Sequence, residues 1–203
     1  MRATTIHRSP QPRVKLTTRH GLVVPGDGGT LRTVTADPRD LENRYAAAAA
    51  EVSSLPAGAD PSARRLAVVR AIWRHLAPTG VSWVGFYIAP AGDPVAELLL
   101  DCREPKPACS PIGMHGVCGQ SFLGRTVRIV EDTRDLGAAY VACDPRDRSE
   151  IVLPVAFVDG PPTGLPTGVL DLDSHDPGRF GPADERGLRA VLEAAGIRVA
   201  IGS

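Results

Sequence analysis

Residues 81–89 read VSWVGFYIA and residues 168–174 read GVLDLDS. Along an extended chain, successive side chains point to opposite faces. In the first segment Val84, Phe86 and Ile88 therefore share an apolar face suited to a core. Trp83, Gly85 and Tyr87 share the other face, where the glycine leaves a notch between two aromatic rings. In the second segment Leu170 and Leu172 take the core side, and Asp171 and Asp173 the opposite one. Strands are depleted in Asp, and burying an unpaired carboxylate is costly. Two acids on one strand face therefore read either as a solvated surface or as a polar pocket floor that binds a cation or holds a proton. Glu150 favours the pocket, because it opens the neighbouring expected strand SEIVLPVAFV (149–158) and adds a third acid.

Further strands are expected at VAELLLDC (95–102) and TVRIVED (126–132). Residues 38–54, rich in helix formers, predict a first helix. Asp60 and Pro61 supply an N-cap and a first-turn proline for a second, with Leu66, Val69, Ile72, Trp73 and Leu76 at helical spacing. Residues 117–124 suit a short helical turn, and Gly181-Pro182 opens a C-terminal helix. The expected fold is α+β: a central antiparallel sheet of five to six strands with helices packed on one face. The folded domain is placed at residues 37–203, preceded by a basic and poorly ordered tail, 1–36.

The 203 residues carry no net charge, but residues 1–35 hold six basic side chains against Asp27 alone. No basic stripe elsewhere suggests a nucleic-acid surface. No apolar run approaches the roughly 20 residues that span a bilayer, and the N-terminus lacks a signal-peptide pattern. The expectation is a cytoplasmic protein with neither nucleic-acid nor membrane partners.

The cysteines point to chemistry. Cys109 and Cys118 lie in KPACSPIGMHGVCG and Cys143 in YVACDPRDRSEIVLP, each beside turn-forming or small residues. Structural cysteines in a reducing compartment are usually buried in apolar segments, as Cys102 at the end of LLLDC should be. The other three lie in or beside two long connections, 103–116 and 133–148, and loops of such length are commonly functional. Thiol redox chemistry is the first reading. A zinc set of Cys109, His115, Cys118 and Cys143 is a rival, weakened by the absence of C-x-x-C pairs.

Taken in order, WVGFY (83–87), KPAC (106–109), GVCG (116–119), ACD (142–144), SEIVLP (149–154) and GVLDLDS (168–174) resemble the free methionine-(R)-sulfoxide reductases, which are single GAF-domain enzymes. The resemblance covers roughly residues 38–200 and implies a GAF-like domain. It further implies that Cys143 is the nucleophile, Cys109 the resolving cysteine and Cys118 an auxiliary one. Trp83 and Tyr87 would wall the substrate methyl, while Glu150, Asp171 and Asp173 recognise the substrate, with Glu150 and Asp173 assisting protonation. The implied reaction passes through a cysteine sulfenic acid and an intramolecular disulfide. It has no bound cofactor and draws electrons from a thioredoxin/NADPH system. Pairing as a homodimer is a further implication. The chain departs from the family in a Cys109-to-Cys118 spacing shorter by one, in the approach DCREPKPAC, in the longer loop 159–168 and in the tail. A non-catalytic GAF module that binds a small ligand or senses redox state is the alternative from another functional class.

Overall fold

The computed structural model describes residues 22–25, 31–34, 38–90, 95–137, 140, 143–157 and 165–202. The chain divides into two units, Met1–Asp37 and Pro38–Ser203. In the first, strand β1 (Leu22–Pro25) pairs antiparallel with β2 (Leu31–Val34). The reading of a poorly ordered tail otherwise falls on residues outside those described.

The second unit opens with helices α1 (Pro38–Ser53) and α2 (Pro61–Leu76). Asp60 starts α2 as its sequence position suggests, its carboxylate accepting the Ser62 N–H at 2.9 Å. There follow β3 (Val81–Ile88), β4 (Glu97–Glu104), the two-residue β5 (Ile112–Gly113), helix α3 (Val117–Gly124) and β6 (Arg128–Val130). Strands β7 (Ser149–Ala156) and β8 (Gly168–Ser174), helix α4 (Pro182–Ala194) and the two-residue β9 (Arg198–Val199) complete the unit. Among the described residues no helix is long and apolar enough to cross a membrane.

Among the described residues the sheet has seven strands in the order β5-β4-β3-β8-β7-β6, with β9 also on β7, and every pairing is antiparallel. The α+β layout expected from the pattern is thus present. Its strand count rises by β5 and β9, whose two residues are too few to carry a period. Strand β7 is buried along its whole length, as a strand covered on both faces must be. Pro154, which lacks an N–H, falls where β6 ends and β9 begins on that edge of β7.

One face carries the main core. Val84, Phe86, Ile151, Leu153, Leu170 and Leu172 pack there with Val69, Ile72 and Leu76 of α2 and Leu188, Val191 and Leu192 of α4. At the foot of this layer Asp184 accepts hydrogen bonds from Tyr45 (2.9 Å), Arg179 (2.8 Å) and the Gly181 N–H (2.9 Å). These bonds fix α1, α4 and the turn after β8 to one another. The opposite face is covered by the short α3, whose Val117, Cys118 and Phe122 pack with Trp83, Tyr87, Val152 and Val169. Gly119 permits this close approach: a Cβ there would stand 2.2 Å from the Met114 Cα.

Candidate active site

The site lies on the α3 face of the sheet. Cross-strand register sets Trp83 opposite Asp173, and Asp173 opposite Glu150. In the next row Gly85 faces Asp171, and Asp171 faces Val152. Strand alternation thus gathers three carboxylates from two adjacent strands. Tyr87, Cys109, Cys118, Tyr140, Cys143, Asp147, Glu150, Asp171 and Asp173, with Ile112, His115, Val117 and smaller residues between them, enclose a cavity of about 330 Å³.

The aromatic pair is arranged differently from a simple notch. The Trp83 indole lies across Gly85, where a Cβ would meet its Cη2 at 2.3 Å. Trp83 is therefore buried behind the cavity wall, and its indole N–H donates to the Lys106 carbonyl at 2.9 Å. Tyr87 does line the cavity, and its hydroxyl donates to the Cys109 carbonyl at 3.0 Å. Both rings thereby hold the loop that carries Cys109. Lys106 of that loop forms an ion pair with Asp144, next to Cys143, and so links the two cysteine loops.

Cys143 and Cys109 line the same cavity, and after partial burial Cys109 is the neighbour that acts most on the Cys143 thiol. Both residues are exposed. Partial enclosure by the cavity, followed by the neighbouring Cys109, pushes the Cys143 thiol up to about 12. Asp144 is no general base for it: Arg146 and Lys106 hold its carboxyl well below the usual carboxylate range. Cys118 is buried elsewhere in the wall and donates its S–H to Asp171 Oδ2 at 3.3 Å. Cys102 is also buried, on the opposite side of the sheet among core residues.

Glu150 and Asp171 are only 4% and 8% exposed. Burial pushes Glu150 up to about 7, against a lowering hydrogen bond from Tyr140, whose hydroxyl donates to Oε2 at 2.7 Å. Asp171 and Asp173 are raised well above the usual range, first by burial and then by the charges of Glu150 and Asp171 respectively. Carboxyls raised in this way hold their protons to higher pH than exposed ones, an arrangement suited to a general acid. Among the described residues, Asp171 Oδ1 is a buried polar side-chain atom without any hydrogen-bond partner.

Two cavity residues escaped the sequence reading, Tyr140 and Asp147. Asp147 accepts a hydrogen bond from Ser82 at 3.2 Å and lies 3.5 Å from His175 Nε2. The available signal was an acid and an aromatic within four residues of a loop cysteine. Asp144, Asp147 and His175 have ligand atoms within 4.8 Å of one another. The cysteines and His115 of the zinc reading are not drawn together in this way, and Asp144 is already paired with Lys106 and Arg146. A second cavity of about 440 Å³ opens on the helical side beside Arg64, Arg65 and Phe157. Arg64 there is bonded to the carbonyls of Pro56, Ala57, Ala59 and Ala195, and no thiol or acid lines the space.

Comparison with known proteins agrees with this fold. No family model matches the chain. The free methionine-R-sulfoxide reductase of Escherichia coli is 36% identical over 116 residues, 56% of this chain and 64% of that protein. The aligned segment is thus just under two thirds of the curated relative's length. A crystal structure of a candidate GAF sensor protein from Burkholderia vietnamiensis superposes with a TM-score of 0.62 at 30% identity, over 79% of this chain and 94% of that one. The free methionine-R-sulfoxide reductase of Neisseria meningitidis, solved with its substrate, gives a TM-score of 0.64 at 28% identity, over 79% and 89%. The fold and these likenesses agree: the chain belongs to the free methionine-R-sulfoxide reductase family of GAF-domain proteins.

Proposed function

We propose that this chain reduces free L-methionine-(R)-sulfoxide to L-methionine, with Cys143 as nucleophile and Cys109 as resolving thiol. The observation that carries the reading is the placing of Cys109 and Cys143 together on a cavity whose floor holds Glu150, Asp171 and Asp173. The relatives named for this reduction support it.

The free amino acid brings an ammonium group, for which the unpartnered Asp171 Oδ1 is the natural acceptor. A cation there favours the charged forms of nearby groups, the Cys143 thiolate included. The substrate methyl rests against Tyr87, with Trp83 packed behind it. The Cys143 sulfur attacks the sulfoxide sulfur while Glu150 or Asp173 protonates the sulfoxide oxygen. The oxygen passes to Cys143: an oxygen–Cys143 sulfur bond forms as the substrate sulfur–oxygen bond breaks, and the transient bond between the two sulfurs breaks as the thioether of methionine leaves. The oxygen remains on Cys143 as a sulfenic acid, and the former thiol proton replaces the one the carboxyl gave up. Cys109 then attacks the sulfenic sulfur, forming the Cys109–Cys143 disulfide and releasing water. A thioredoxin-type dithiol restores both thiols by exchange, drawing on NADPH. No step uses a metal or a bound organic cofactor, and the reductant suits the cytoplasm.

Thioredoxin-coupled NADPH oxidation with each sulfoxide epimer tests the proposal. Turnover on (R) and none on (S) is the expected result. Inactivity on both, with all thiols shown to be reduced, would replace the enzyme reading with that of a ligand-binding or redox-sensing GAF module.

A further inference from the structure

The reaction above leaves the third loop cysteine unused. Cys118 belongs to the first turn of α3, held against the sheet by Val117 and Phe122. Its thiol donates to Asp171 Oδ2 at 3.3 Å. The other oxygen of the same carboxylate, Oδ1, is buried and without a partner, on a residue that lines the cavity. One oxygen is tied to the protein, and its twin is left for a ligand.

We propose that Cys118 is a positioning residue for substrate binding and not a redox partner: its S–H fixes the Asp171 carboxylate so that Oδ1 faces the substrate ammonium. The inference rests on the reductase reading, which supplies the ammonium ligand. The physical reasoning is direct. Donation to a carboxylate oxygen favours its charged form, and here it opposes the burial that raises Asp171. The other groups acting around Asp171 are Glu150 and Asp173 on the sheet, Asp147 and Cys143 on the 133–148 connection, and the hydroxyls of Tyr87 and Tyr140. None of these is a cation; His115 lines the same cavity, and Cys118 is the group that donates a hydrogen bond to the Asp171 carboxylate. Burial keeps the Cys118 thiol itself protonated, far above the ordinary thiol range. That suits a hydrogen-bond donor and disfavours a thiolate that would attack a sulfenic acid.

Serine and alanine separate the two roles. Serine keeps a donor and removes thiol chemistry, while alanine removes both. Losing a hydrogen bond to a charged group weakens binding substantially, and a thiol is a weak donor. Cys118→Ala should therefore raise KM for the (R)-sulfoxide about tenfold, with the single-turnover rate at saturation within about threefold of the parent. Cys118→Ser should bring KM back toward the parent value and keep thioredoxin-dependent cycling. A second readout is independent of turnover: carbon-13 NMR of carboxyl-labelled Asp in the parent and both variants. Asp171 should titrate at higher pH in Cys118→Ala than in the parent or Cys118→Ser. A Cys118→Ser enzyme that releases one equivalent of methionine and stops would overturn the proposal, because Cys118 would then be the resolving thiol. An unmoved Asp171 titration in Cys118→Ala would overturn it equally. If the parent itself shows no reductase turnover, the functional reading fails, and the NMR titration still decides whether Cys118 sets the state of Asp171.

Discussion

Glu150→Gln tests the electrostatics of the cavity floor without relying on catalysis. Burial raises the Glu150 carboxyl from its ordinary 4.5 to about 7. For an acid shifted in this direction, the folded state holds a proton that the unfolded state has already released. Below pH 4.5 both states are protonated, and the group has no effect on stability. Between pH 4.5 and about 7, stability falls as pH rises, because unfolding releases a proton. Above about pH 7 the penalty is constant. The move from 4.5 to about 7, at 1.36 kcal/mol per pH unit, amounts to about 3 kcal/mol, a ceiling for this group alone. Glutamine still accepts the Tyr140 hydroxyl, now 2.7 Å from Oε2, and carries no charge to desolvate. The variant should match the parent at pH 4 and exceed it by up to about 3 kcal/mol at pH 8.5, or roughly 6–12 °C in Tm for a chain of this size. Urea unfolding followed by tryptophan fluorescence across this pH range is the assay. Parallel stability curves for parent and variant from pH 4 to 8.5 would refute the reasoning, since Glu150 would then titrate alike in both states. Under the proposed mechanism the same variant loses reductase rate, so stability and function would be opposed at one carboxyl.

Cys143→Ser should form no methionine, and rapid-quench analysis with detectable product would remove Cys143 as nucleophile. Cys109→Ser should release about one equivalent per protein and then stall with a dimedone-reactive sulfenic acid. Sustained thioredoxin-dependent cycling would contradict Cys109 as the resolving thiol. Asp173→Asn should slow the single-turnover step by roughly 10²-fold or more, as removal of a general acid does, while changing KM little. An unchanged rate would exclude Asp173 as proton donor. Gly85→Ala places a Cβ 2.3 Å from the Trp83 ring and 3.0 Å from the Cys102 carbonyl, so thermal unfolding should report a loss of about 1–3 kcal/mol. Native-like stability, with the indole fluorescence unmoved, would show that the ring does not need the glycine.

The parts of the site carried by regular strands were legible in the sequence. Alternation alone separated Val84 and Phe86 from Trp83 and Tyr87, and Leu170 and Leu172 from Asp171 and Asp173. Sheet register then joined Glu150 to Asp173, a pairing between adjacent strands that needs no loop geometry. The remainder depends on contacts between distant segments, which no local period encodes. Tyr140 reaches Glu150, and Lys106 reaches Asp144, only once both long connections have closed over the sheet. Alternation assigned Trp83 to the correct face but could not show that its ring lies over Gly85 and bonds to a loop carbonyl. Nor could spacing distinguish Cys109 from Cys118, because what each meets, the Tyr87 hydroxyl at the Cys109 carbonyl and the Asp171 carboxylate at the Cys118 thiol, is fixed by tertiary packing.

The central claim is that Cys143 takes the sulfoxide oxygen and Cys109 closes the disulfide. The most direct measurement is to give fully reduced protein one equivalent of free methionine-(R)-sulfoxide without any external reductant, then quantify methionine and map the disulfides by mass spectrometry. The account predicts one methionine per chain and loss of two of the four thiols, with a single Cys109–Cys143 bridge. No methionine, or a bridge that includes Cys118 or Cys102, would contradict it.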